Sequence, residues 1–273
     1  MRSALAGLVV LSLAGCPSNL EEQSQVSKLR VLAVRSDPPE LVLEPDAGAP
    51  AATLTALAVD PTDAGITVQF ALCKEITGTP SPTLPCPGDA GIELPSNGPV
   101  SARLDLADPA IVAFASAAEL DGGAFDGGSG IEQALDEGVS LLVGFTARAD
   151  AQRLDGFLTL TLRSSAKGPA GVNPDPIDLV IGDGGAISPK ETVRLEPVPV
   201  GPDDPPKVFS FFATGGSISS LRSTNRTATG QPAPVWVEWT APDSTPAVPV
   251  RLWVVVRDER GGTAWAERPA PIQ

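Results

Sequence analysis

The chain has 273 residues, a formal net charge of −14, three cysteines, 29 prolines, and neither histidine nor tyrosine. Without histidine there is no Ser-His-Asp or Cys-His nucleophile system and no imidazole metal ligand. An isoelectric point near 4.4 excludes the basic footprint that nucleic acid requires, while 42% hydrophobic residues suffice to bury a core in one large domain or two moderate ones.

The chain opens Met1-Arg2-Ser3, runs apolar from Ala4 to Ala14, and reaches Gly15-Cys16. One positive charge, a short apolar run and small residues at the exit form a secretory signal peptide. The run is too short for a transmembrane helix, which needs about 20 apolar residues. Leu13-Ala14-Gly15-Cys16 resembles the lipobox of bacterial lipoproteins. The resemblance implies removal of residues 1–15, a diacylglycerol on the Cys16 sulfur, and fatty acylation (palmitate) of its amine. Pro17-Ser18 after the cysteine implies an outer-membrane rather than an inner-membrane destination in a Gram-negative envelope. Two or more acyl chains anchor stably. Residues 16–27 are mostly polar and aperiodic, and are expected to be a lipidated, flexible tether whose free part reaches about 35 Å when extended.

Beyond the tether the dominant period is two. Expected strands of a first domain, 28–168, lie at 29–34, 53–59, 66–72, 98–104, 111–115, 140–147 and 158–162. Leu158-Thr159-Leu160-Thr161-Leu162 alternates without fault, which signals one buried face. One short helix is expected, opened by the capping-box pattern Ser129-Gly130-Ile131-Glu132 and stopped by Gly138. The Pro/Gly cluster within Lys167–Pro176 places a linker at 169–176. A second domain, 177–273, carries strands at 192–196, 207–213, 235–239 and 252–256. The expected fold class is all-β: two immunoglobulin-like β-sandwich domains in tandem.

Three segments of the second domain, Phe211–Ser217, Val237–Asp243 and Arg251–Ala264, resemble bacterial immunoglobulin-like and PKD-like envelope domains. The resemblance implies that the last two segments form neighbouring strands near the C-terminal edge. The tyrosine usual between them is absent, and Leu252 and Trp253 stand nearby.

Candidate sites divide between architecture and binding. In an exported chain, Cys73 and Cys86 make an even pair once Cys16 is lipidated. A disulfide clamping a surface loop is the main reading, with a reactive thiol or metal site as the alternative. The Asp-Gly and Asp-Ala-Gly units at Asp46, Asp63, Asp89, Asp121, Asp126 and Asp183 read as tight turns. Each offers one carboxylate where calcium wants six to eight oxygens, and Asp121 with Asp126 is the nearest approach to an ion site. Ser164-Ser165-Ala166-Lys167 matches S-x-x-K but runs into Gly168-Pro169 instead of opening a helix. No catalytic residue, metal ligand or cofactor is assigned. All four tryptophans, Trp236, Trp239, Trp253 and Trp265, lie near the C-terminus. Some plug or edge a core, and the alternation nominates Trp236 and Trp253 as the pair free to bind a sugar or protein partner. The expected function is a lipid-anchored envelope protein with a non-enzymatic structural, adhesive or partner-binding role. The alternative is a carbohydrate-binding lipoprotein using exposed tryptophans. Expected partners are the membrane, through the lipid on Cys16, and an envelope protein or polysaccharide, with no nucleic acid.

Overall fold

A computed structural model describes residues 23–44, 46–62, 65–73, 86, 91–113, 135–201 and 204–273. Among these residues nine strands build the first sandwich: β1 (Arg30–Asp37), β2 (Leu41–Leu43), β3 (Ala51–Val59), β4 (Ile66–Cys73), β5 (Gly91–Glu93), β6 (Ser96–Gly98), β7 (Ser101–Asp105), β8 (Val139–Ala149) and β9 (Gln152–Ser164). One sheet runs β1-β3-β7-β6 and the other β2-β9-β8-β4-β5. All neighbours are antiparallel except β2, which lies parallel to β9 with Leu41 opposite Leu162. In strand-letter terms this is A-B-E-D against A′-G-F-C-C′, the immunoglobulin arrangement. Leu54, Leu104, Phe70, Val143 and Leu160 point inward from the two sheets and are fully buried between them. Phe70 and Phe145 meet as tilted rings 6.4 Å apart.

Eight strands build the second sandwich: β10 (Asp178–Ile181), β11 (Thr192–Val198), β12 (Lys207–Ala213), β13 (Ser217–Ile218), β14 (Arg222–Thr224), β15 (Val237–Thr240), β16 (Arg251–Asp258) and β17 (Thr263–Pro269). Their order, β10-β11-β15-β13 facing β14-β12-β16-β17, is A-B-E-D against C′-C-F-G. Leu195, Phe209, Phe211, Trp239, Leu252, Val254 and Val256 fill its core. The all-β, immunoglobulin-like expectation therefore holds in both halves on strand order alone.

Three local expectations need correction. The segment expected as a strand at 111–115 is helical at 109–113. Asp108 accepts from the Ala110 amide at 2.8 Å and Pro109 fills the first helical position, where its missing N–H costs nothing. The segments ending in Trp-Thr-Ala-Pro and Val-Val-Val are not neighbours. β15 pairs with β11 and β13, while β16 pairs with β12 and β17, so the two lie in opposite sheets. The tether also ends earlier than residue 27. Gln25 bridges Ala213 in parallel, the Val26 amide donates to the Ala213 carbonyl, and Val26 is fully buried. Of the expected helix before β8, residues 135–137 are helical and the rest lies outside the described residues.

Candidate functional site: the seam and the tryptophans

Strands β12 and β16 are apolar on both faces. Phe209, Phe211, Leu252, Val254 and Val256 face the core. Phe212, Trp253 and Val255 face outward and meet Val26, Leu32, Ala33, Leu57 and Val59 of the first sandwich. A bulge in β1 between Val31 and Ala33 shifts the register, so both Leu32 and Ala33 reach this seam while Val31 and Val34 pack in the first core. The two sandwiches are thus joined by an apolar interface, with Leu221 and Trp265 packed against its edge.

Polar groups lock the rim. Glu40, just before β2, lies buried and takes both Nε and an Nη of Arg163 on β9 at 2.9 Å. It also accepts from the Gly171 amide at 2.6 Å and from Arg260 in the β16–β17 turn. The remaining Arg163 donors go to the Ser164, Gly168 and Pro169 carbonyls. All five guanidinium donors are therefore satisfied, the condition under which a buried ion pair is tolerated. The Arg163 hydrogen bond is the chief reason the Glu40 carboxyl titrates at about 2 rather than 4.5. Burial opposes it, and the Gly171 amide and Arg260 add to it. Asn173 in the connecting segment donates to the Ser36 carbonyl and accepts from the Thr263 amide. Arg251 and Arg257 reach across to the Asp60 and Leu32 carbonyls. The Pro/Gly-rich connection is pinned at both ends.

The tryptophans part company. Trp239 is buried in the second core, and its indole N–H donates to the Gly215 carbonyl at 2.9 Å. That approach requires glycine at 216, whose φ is +77° and where a Cβ would stand 2.3 Å from the Thr240 carbonyl. Trp253 is fully buried in the seam, with its indole N–H lacking a partner among the described residues and the Arg251 guanidinium 5.4 Å from its ring. Trp236 is half-buried on the outer face of the opposite sheet, where Arg194 stacks on it at 4.3 Å. The expected binding pair is therefore corrected: Trp253 is an inter-sandwich plug, and a sandwich about 10 Å thick separates it from Trp236. Alternation correctly sent Trp253 off its own core, but it cannot tell a solvent face from one covered by a second domain.

Cys73 and Cys86 form a disulfide with Cα atoms 5.3 Å apart. Cys73 ends β4 opposite Gly91 of β5. A Cβ at residue 91 would sit 2.5 Å from the Cys86 sulfur, so glycine makes room for the bridge. Asp183 forms the turn expected of it, accepting from the Gly185 amide at 3.0 Å. Asp63, Asp89, Asp121, Asp126 and Cys16 lie outside the described residues. Among the described residues no group of three or more histidine, cysteine, aspartate or glutamate side chains is placed to hold a metal. Ser164 caps a single 3-10 turn, Ser165–Lys167, and its hydroxyl bonds Asp136.

No protein-family model matches the chain, and no curated protein matches it. Among solved structures it is similar to a chimeric titin Z1Z2 tandem (12% identity, 82% of this chain and 91% of that one, TM-score 0.22). It is also similar to murine CEACAM1b (10% identity, 90% and 100%, TM-score 0.25) and to the D0-D1 domains of intimin (14% identity, 88% and 98%, TM-score 0.20). Likenesses at these scores carry no weight, and the fold assignment rests on strand order and register.

Proposed function

We propose that the chain is a lipid-anchored, non-enzymatic binding or structural protein of the bacterial cell envelope, held through Cys16 in the outer membrane. The observation that carries the reading is the locked seam. Two immunoglobulin-like sandwiches joined by an apolar interface, with Arg260 of the second reaching the buried Glu40–Arg163 pair of the first, present one stiff body, which suits holding a partner at a fixed orientation. The chain enters that body at the seam itself, because Gln23–Val26 docks beside Ala213. An anchor at residue 16 then lies within roughly 23 Å of contour from the interface. Position at the membrane is passed to both sandwiches together.

The carbohydrate reading loses its tryptophan pair, since Trp253 is inaccessible and Arg194 already occupies one face of Trp236. The proposed role is contact with an envelope protein or polymer through the sandwich surfaces. Fractionation tests the anchor: Cys16→Ala should move the protein from the outer-membrane fraction to the soluble one, and unchanged membrane association contradicts the assignment. Crosslinking in intact envelopes tests the role. A stoichiometric envelope partner is expected, and turnover of a wall polymer by the pure protein contradicts the non-enzymatic reading.

A further inference from the structure

The outward face of the second sandwich does not end at the seam. Beyond Phe212, Trp253 and Val255 the same face of the β14-β12-β16 sheet continues into an open cleft of about 480 Å3. Its floor is β12. Ser210 lies opposite Arg222 on β14, and Val208 lies opposite Arg257 on β16. The two arginines therefore flank Ser210 and Val208 diagonally from the strands on either side.

Three features of this cleft bear on what it can bind. First, among the described residues Arg222 has no hydrogen-bond or ion-pair partner through its guanidinium, and Arg257 has one only, the Leu32 carbonyl at 2.8 Å. Second, the two cations stand near enough for Arg222 to lower the Arg257 pKa, after the larger lowering caused by burial. Third, Ser210 is 4% exposed as a residue and lines the cleft, and its hydroxyl has no hydrogen-bond partner among the described residues. Both arginines are exposed to water, so their mutual repulsion is screened and their donors stay available to a ligand. Lys207 and Arg226 add positive charge at the mouth, though the Asp204 carboxylate pairs with Lys207 and its main-chain carbonyl accepts from Arg226. Of the two carboxylates on the rim, Asp258 is turned into the β16–β17 turn, accepting from the Arg260 and Gly262 amides. Glu259 faces solvent. In a chain of net charge −14, whose overall field repels anions, this is a local reversal of sign.

We propose that this cleft is a binding site for a phosphate group, with Arg222 and Arg257 clamping it from opposite sides and the Ser210 hydroxyl donating from the floor. A planar carboxylate offers two oxygens to one guanidinium fork. Donors arriving from three directions suit a tetrahedral oxyanion, which has acceptors for each. Such a group is carried by free phosphate or by an anionic phospholipid headgroup, and the shared chemistry is the phosphate. The site belongs to the second sandwich and does not depend on Cys16, so it stands or falls separately from the anchoring proposal.

Calorimetric titration of the full chain with inorganic phosphate, and flotation with phosphatidylglycerol against phosphatidylcholine vesicles, test it. Either saturable phosphate binding or preferential flotation with phosphatidylglycerol is expected, the first identifying a soluble source and the second a headgroup. Arg222→Gln should weaken whichever is seen by about ten-fold or more, the usual scale for one charged hydrogen-bond donor, and Ser210→Ala by a smaller factor. Arg268→Gln, a cation of the same sandwich paired with Asp178, should leave it unchanged. The proposal is overturned by no binding in either assay, by binding that survives Arg222→Gln and Arg257→Gln intact, or by acetate competing as well as phosphate. Circular dichroism of each variant separates loss of the site from loss of the fold.

Discussion

Strands β9 and β16 are both long and both apolar, yet they read differently. In β9, Leu158, Leu160 and Leu162 point inward while Thr159 and Thr161 are exposed. In β16, every residue from Leu252 to Val256 is buried. Alternation marks a strand with one wet face, and an unbroken run marks one covered on both sides. Leu252-Trp253-Val254-Val255-Val256 thus carried the seam in its composition. The outward residues Trp253 and Val255 are as apolar as the inward ones because a second sandwich lies on them.

The sharpest way to break this contrast is to empty each side of β16's sandwich in turn. Trp239→Ala removes a core ring and should cost about 3–5 kcal/mol, unfolding the second sandwich at moderate denaturant. Trp253→Ala removes a ring of equal size from the seam, at similar cost, but should separate the sandwiches while each stays folded. Two denaturation transitions in place of one, together with new protease sensitivity at 169–176, are the expected readings.

Next comes the rim. Glu40→Gln leaves Arg163 buried with a poorer partner and should destabilise by several kcal/mol, about 3–5 for complete loss of a buried pair. The native ion pair also sets a pH dependence. The folded Glu40 pKa is depressed to about 2 from 4.5. Its contribution is therefore fully present above about pH 4.5 and is lost as pH falls toward 2. Its size is at most about 3 kcal/mol. Glu40→Gln should flatten that acid limb, which urea denaturation at a series of pH values reads directly.

A third change stays inside the first sandwich. Replacing Cys73 and Cys86 with alanine opens a loop of sequence separation 13 and should cost about 3 kcal/mol, seen as a lowered transition for the first sandwich with the seam intact. The smallest effect belongs to the outer sheet. Arg194→Ala removes the stack on Trp236 and should cost no more than about 1 kcal/mol, while raising the quenching of Trp236 fluorescence by iodide.

How far the sequence reached follows from the same physics. Strands of seven or more residues with one wet face, β4, β9 and β11, announce themselves by period two. The two- and three-residue strands β2, β5, β6, β13 and β14 are too short to hold a period, and they are ordered by neighbours rather than by their own pattern. The helix at 109–113 was legible in Asp108-Pro109, a cap followed by a proline, but Ile111 and Val112 suggest a strand to a reading based on propensity. At the candidate sites, the cysteine pair was legible because the expectation of export, with Cys16 set aside, leaves Cys73 and Cys86 as an even pair. The tryptophan roles were not, since the unbroken apolar run of Leu252 to Val256 marks a strand covered on both faces but does not say what covers Trp253. Ser210, Arg222 and Arg257 lie on three separate strands, and only the register of β14, β12 and β16 brings them together. Glu40 and Arg163 are 123 residues apart and meet only because β2 joins the sheet beside β9.

The central claim is that the two sandwiches form one rigid body through the seam. Residual dipolar couplings of backbone amides, measured on the full chain in a weakly aligning medium, test it most directly. A single alignment tensor should fit the described residues of strands β1–β9 together with those of strands β10–β17, and Trp253→Ala should split it into two. Two tensors of different magnitude in the unaltered protein would contradict the account.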